Sequence, residues 1–387
     1  EITNVDFYDT RTTALAPSAC SNLLIENCTY TRCGNSITPS SVDFEDGWQE
    51  CQDVYYRNVK VLESSGTATV IDNTGYNHVY EGIEGHRMIL RRGVLGGVIR
   101  NSKDMTNTVN WTVGNKIVCK YSRLYNVESG NIIVSHSDTE SGEFEEFKVR
   151  DSVINGSYVN SSTDIVTYED CVFTKLSGKN FVLKNCVVQP QPFWGENIYC
   201  YGCEFKNMET PDGEIAFSFN SLDAERVFEN CTFKGKTQLK NHNNFNSGVF
   251  KGCEFDDLSM LITLSAKDTN KGIDFIDCNI KSSAEKLIHL GPFAYSKAYI
   301  DLNFTNCEIA HTGENLIYSY GKATDESIIE FDNCTINKES GKVITGWGNV
   351  VNEPTTSLDI IFKGGSVNKE LDTSWCGDSG YIRIKYE

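Results

Sequence analysis

The sequence predicts an all-β fold, a single-stranded right-handed parallel β-helix, and three observations predict it. The first is a returning phrase: a short polar residue or Gly, then Cys, a variable residue, and a β-branched or aromatic one. It reads Asn27-Cys28-Thr29-Tyr30, Asp170-Cys171-Val172-Phe173, Asn185-Cys186-Val187-Val188, Gly202-Cys203-Glu204-Phe205 and Asn230-Cys231-Thr232-Phe233. It continues as Gly252-Cys253-Glu254-Phe255, Asp277-Cys278-Asn279-Ile280, Asn306-Cys307-Glu308-Ile309 and Asn333-Cys334-Thr335-Ile336. Gly364-Gly365-Ser366-Val367 is a last copy with Gly in the Cys place. The second observation is the spacing, 22 to 31 residues from Cys203 onward, which marks a stacked solenoid. The third is a second strand in fixed order after the phrase. It appears at Leu287-Ile288, Leu316-Ile317 and Val343-Ile344, each starting nine residues after Cys278, Cys307 or Cys334. Both strands lack helical periodicity, so the repeating unit is one β-coil.

Taken in order, Glu1 to Phe7 alternate as a strand and not as a signal peptide. Residues 1–160 read as less regular coils, 161–370 as regular Cys-ladder coils and 371–387 as a C-terminal strand, all in one domain spanning 1–387. Within each coil the apolar residues point to a narrow axial core. Small Cys suits a tight internal ladder, and Asn suits a turn where its amide meets the Asn of the next coil.

Charge narrows the partners. Lys and Arg total 35 against 53 Asp and Glu, a net charge of -18, which argues against nucleic acid or anionic membrane as a partner. No apolar run of membrane-spanning length is present, so no membrane insertion is expected. The 15 cysteines sit mostly at equivalent ladder positions, and are expected as free, buried thiols of a protein made in a reducing cytoplasm. Cys200-Tyr201-Gly202-Cys203 is a lone pair without finger spacing, and no metal is expected.

Reactive residue types gather in the first third. Strands at Val42-Asp43-Phe44, Val70-Ile71-Asp72, Met88-Ile89-Leu90, Trp111-Thr112-Val113 and Ile132-Ile133-Val134 read as successive rungs of one sheet. Their polar ends supply Asp43, Glu45, Asp46, Asp72, Arg91, Arg92, Asn115 and His136, with Trp48 close by. Asp43 and Glu45 on one strand face would stand about 7 Å apart. That separation suits an inverting glycosidase, one carboxyl as acid and one activating water. Asp46 and Asp72 are further catalytic candidates, since crowded carboxylates raise one another's pKa. His78, Glu81, Arg91, Arg92, Asn115, His136 and Trp48 are the candidate substrate-binding residues, the arginines suiting an anionic substituent. Each has a plainer reading: Asp-Gly and Asp-Asn end strands at turns, and arginines balance neighbouring carboxylates. On the second repeated strand Phe217, Phe219, Tyr318, Tyr320 and Trp347 divide between core and outward platforms.

The Cys-phrase rungs over about Asp170 to Val367, with the acidic strand end Asp43-Phe44-Glu45-Asp46-Gly47-Trp48, resemble the pectin-lyase-like superfamily. Within it they are most similar to the β-helical tail spikes and appendage proteins of bacteriophages. The resemblance implies a homotrimer on the virion, or an extracellular protein, that binds and often cleaves a bacterial surface polysaccharide or teichoic acid. The expected function is therefore a glycan depolymerase, a hydrolase without cofactor. Two alternatives stand beside it: a binding-only adhesin, and a polysaccharide lyase with Ca²⁺ held by Asp43, Glu45 and Asp72.

Overall fold

The computed structural model describes residues 1–10, 13–33, 40–44, 51–62, 68–72, 75–76, 78–84, 88–91, 98–113, 122–136, 147–150, 153–154, 157–160, 165–173, 176–189, 194–206, 216–217, 225–241, 247–262, 272–290, 300–319, 327–346, 358–369 and 382–387. Among these the chain is all-β, its parallel strands stacked as a β-solenoid, consistent with a right-handed β-helix. It falls into two compact units, Glu1–Val187 and Val188–Glu387. In both, a coil runs along three faces: a strand before the Cys phrase, one after it, and a third strand.

In the first unit the first face carries one apolar row through Ile2, Ile25, Tyr56, Tyr80, Ile99, Leu124, Val149, Tyr168 and Leu183, each in register with the next. Parallel pairing without stagger sets each residue over its counterpart at strand spacing, and Ile25, Tyr56, Tyr80, Tyr168 and Leu183 of this row are buried. The neighbouring register position runs Glu26, Arg57, Glu81, Arg100 and, further along, Arg150, Glu169, Lys184. Opposite charges alternate there; Arg57 pairs with Glu26 at 2.5 Å, and Arg150 pairs with Glu169.

In the second unit the first-face row is Cys200, Phe228, Phe250, Phe275, Phe304, Phe331, Phe362 and Tyr386. From Phe228 to Phe331 the rings stack near-parallel with centroids 4.8–4.9 Å apart. The second face stacks Phe205, Phe233, Phe255, Ile280, Ile309, Ile336 and Val367. The third stacks Leu239, Met260, Ile288, Ile317 and Ile344. The nine-residue spacing read in the sequence is thus a register: the last three copies of the second strand lie in register, one coil on the next.

The Cys phrase is the corner between first and second faces. Its leading residue turns the chain with positive φ, as at Asn27, Asp170, Asn185, Asn230, Asp277, Asn306 and Asn333 (φ 51–55°) and at Gly202, Gly252 and Gly364. Only Gly, Asn and Asp enter this region cheaply, which is why the phrase opens with them. The amides ladder as expected: Asn333 Nδ2 donates to Asn306 Oδ1 at 2.8 Å, and Asn58 Nδ2 to Asn27 Oδ1 at 3.2 Å. The following thiol then points inward. Cys231, Cys253, Cys278, Cys307 and Cys334 each donate S–H to a carbonyl one coil back, at 3.2–3.4 Å. All 13 described cysteines are free thiols, and all but Cys20 are buried. Gly365 replaces Cys in the last copy because a Cβ there would lie 2.2 Å from the Cys334 carbonyl oxygen.

Candidate functional site

A difference in coil length makes a cleft in the second unit. Leu239, Met260 and Ile288 stand in register, yet they follow Cys231, Cys253 and Cys278 by eight, seven and ten residues. The two shorter coils pass from second to third face within single strands, Thr232–Asn241 and Glu254–Ile262. The longer coil breaks between Asn279–Ser282 and Lys286–Leu290. Its extra residues, Ser283, Ala284 and Glu285, form a turn that walls a cleft of about 300 Å³ together with Lys236, Thr237, Gln238, Asp257 and Ser259.

The cleft is polar and partly pre-ordered. The Asp257 carboxylate accepts the Ser283 backbone N–H at 2.6 Å and the Ser283 hydroxyl at 2.7 Å. Glu285 pairs with Lys286 at 3.2 Å, and the Lys286 ammonium lies 4.2 Å from the centre of the half-buried Tyr318 ring. The His289 ring meets Tyr318 edge-on at 5.4 Å. Register puts His289, Tyr318 and Thr345 in one outward row on successive coils. Burial first, then the Lys286 charge, push His289 below its usual 6.5. Its ring is therefore neutral at pH 7, able to give one hydrogen bond and accept another. Together these groups offer hydrogen-bonding capacity beside an aromatic ring, the combination that holds a sugar by its face and its hydroxyls.

No family model, curated protein or solved structure matches the chain. The site is read from its own chemistry.

The five strands expected to carry the acidic strip do form one face of the first unit. Val42, Val70, Met88, Val109 and Ile132 are in register. On that face Asp43 stands opposite Ile71, and Asp72 opposite Phe44 and Leu90. Arg91 follows one position on, opposite Thr112, and His136 pairs with Val113. Asp43, Asp72, Arg91 and His136 thus occupy four different register positions; their side chains, and all of Glu45, Asp46, Trp48, Arg92 and Asn115, lie outside the described residues. Glu81 is half-buried in the charge ladder, in register with Arg57 and Arg100. His78 goes inside. It is fully buried, bonded through Nε2 to the Cys51 carbonyl at 3.1 Å, with Tyr80 edge-on beside it. A ring so placed packs the core and touches no ligand at the surface. Among the described residues no group of acidic, His or Cys side chains is arranged to hold a metal ion.

Of the aromatic platforms, Tyr318 lies half-buried one coil beyond the cleft wall; Phe219, Tyr320 and Trp347 lie outside the described residues. Lys236, Gln238, Asp257, Ser259, Ser283 and Glu285 belong to no motif. Their signal in the sequence is the shortened interval, 22 residues from Cys231 to Cys253 and 25 to Cys278, against 29 to Cys307.

Proposed function

We propose that the protein is a spike of the bacteriophage type that binds a bacterial surface glycan, with the cleft of the second unit as a sugar-binding site. The observation that carries this reading is the polar cleft with the Tyr318 ring one coil beyond its wall, Lys286 joining the two. One sugar unit would lie on the Tyr318 ring within reach of His289, and a neighbouring unit, two coils back along the solenoid, would meet Asp257 and Ser259 in the cleft. Stacked coils whose corners bond to the next, as at Asn230, Gly252, Asp277 and Asn306, hold such groups rigidly, which lowers the entropy cost of binding. The resemblance to tail spikes supplies the polymer class and the homotrimer.

Hydrolysis is the second reading, and two carboxylates favour it: Asp257 and Glu285 line the same cleft. Both already meet donors, Asp257 from Ser283 and Glu285 from Lys286. Such carboxylates are arranged to hold a ligand more readily than to deliver a proton, which places binding first. The pair Asp43 and Glu45 remains the alternative acid and base.

Affinity electrophoresis through gels containing purified capsular polysaccharide, O-chain lipopolysaccharide or wall teichoic acid tests the reading. At least one polymer should retard the protein, and Tyr318→Ala should weaken that retardation by about tenfold, the scale of a lost stacking platform. Full retardation of Tyr318→Ala, or none of the wild type by any polymer, overturns it. Release of reducing ends that survives Asp257→Asn with Glu285→Gln but not Asp43→Ala with Glu45→Ala would move the chemistry to the first unit.

A further inference from the structure

We infer that His311 is a positioning residue for the cleft, holding its Ser283–Glu285 wall in place from inside the solenoid. The His311 ring is fully buried, and its Nε2 lies 2.8 Å from the Ala284 carbonyl oxygen. A carbonyl can only accept, so Nε2 carries the proton and donates it. Ala284 is the middle residue of the turn that distinguishes the longer coil from the two before it, so this one bond fixes the wall at its apex.

The surroundings are built around that approach. Gly313 lies directly under the turn: a Cβ there would stand 1.8 Å from the Ala284 oxygen and 2.7 Å from His311 Nε2. Beside it, the Asn315 N–H donates to the Glu285 carbonyl at 2.8 Å and the Thr312 N–H to the Ser282 carbonyl at 2.9 Å. From the following coil the buried Lys338, in register with His311, donates Nζ to the Gly313 and Ser340 carbonyls. It thereby fixes the loop on which the wall rests. On the cleft side the same turn presents Ser283 to Asp257. A chain of hydrogen bonds therefore runs from the interior through the wall to a cleft carboxylate.

The consequence for binding rests on the glycan reading; the anchoring does not. Amide hydrogen exchange of the free protein reads the anchoring through the Ser283 and Asn315 amides, which bond to Asp257 and Glu285. His311→Phe, which keeps a ring and loses the donor, should speed exchange at both by about tenfold, the scale of one buried hydrogen bond. His311→Gln, whose amide N–H reaches the place of Nε2, should restore wild-type rates. Gly313→Ala should also speed them, and carries the test alone if the Phe variant does not fold. Polysaccharide retardation should follow the same order, lost in His311→Phe and Gly313→Ala and recovered in His311→Gln. Wild-type exchange in Gly313→Ala or a folded His311→Phe overturns the inference, as does failure of His311→Gln to restore it. Altered exchange in a protein that no polymer retards, wild type included, removes the glycan reading and leaves the anchoring standing.

Discussion

At the residue scale the fold depends on one backbone conformation per coil. The corner residue with φ above +50° recurs as Asn, Asp or Gly, and its N–H donates to the next coil, as from Asn333 to Lys363 O at 2.7 Å. The paired glycines 364 and 365 separate the two costs of a side chain here. A Cβ on Gly364 meets nothing within 4 Å, whereas one on Gly365 strikes the Cys334 carbonyl. Gly364→Ala should cost about 1 kcal/mol from the left-handed backbone alone. Gly365→Ala should cost about 2 kcal/mol more through displacement of the coil; equal losses in urea unfolding would contradict this. A second residue-scale prediction concerns Asp301. Burial holds its carboxyl above the usual 3.8; the Asn303 amide opposes this, and Asp274 and Glu330 add to it. A carboxyl raised in the folded state favours folding when protonated, so that contribution is intact below pH 3.8 and lost as pH rises through the raised value. Asp301→Asn should therefore raise the melting temperature at pH 7 and leave it unchanged near pH 3. A lower melting temperature at pH 7 would reverse the sign.

At the scale of elements, each strand contributes one ring or aliphatic group to a column, and the columns hold the faces together. Phe304 sits between Phe275 and Phe331, both 4.9 Å away. Phe304→Ala should cost about 3–5 kcal/mol, and Phe304→Leu clearly less because the column stays filled. A loss under about 1 kcal/mol by denaturant unfolding would mean the column is not continuous. These columns were legible in the sequence: the residue after the variable position of each phrase that carries Cys, and the pair beginning nine residues past Cys278, Cys307 and Cys334, are buried rows of the second and third faces. The cleft was not legible in the same way. A motif reading treats every corner as equivalent, whereas the cleft exists because Ser283, Ala284 and Glu285 add a turn that the coils at Cys231 and Cys253 lack. His78 misled for a related reason. A scarce histidine close before Tyr80, Glu81 and Glu84 reads as a surface group until alternation along Val79–Glu81 and the Cys51 carbonyl draw it inward.

At the scale of the whole molecule, the thiols and the glycan are the two matters a solution experiment reads. The neighbouring Cys278 thiol and then burial push the Cys307 thiol up to about 12, opposed by its contact with Cys334. A thiol held above neutral pH and closed off from solvent does not alkylate. Brief iodoacetamide treatment of native protein should therefore leave Cys278 and Cys307 unmodified by mass spectrometry, with the partly exposed Cys20 reacting before the ladder. Modification of the ladder at the denatured rate would contradict the packing. The most direct test of the central claim is hydrogen exchange with and without a retarding polysaccharide. The account predicts protection at residues 236–238, 257–259, 283–286 and 318. Protection at 40–44, 68–72 and 88–91 instead, with the cleft unchanged, would contradict it and return the site to the acidic strip of the first unit.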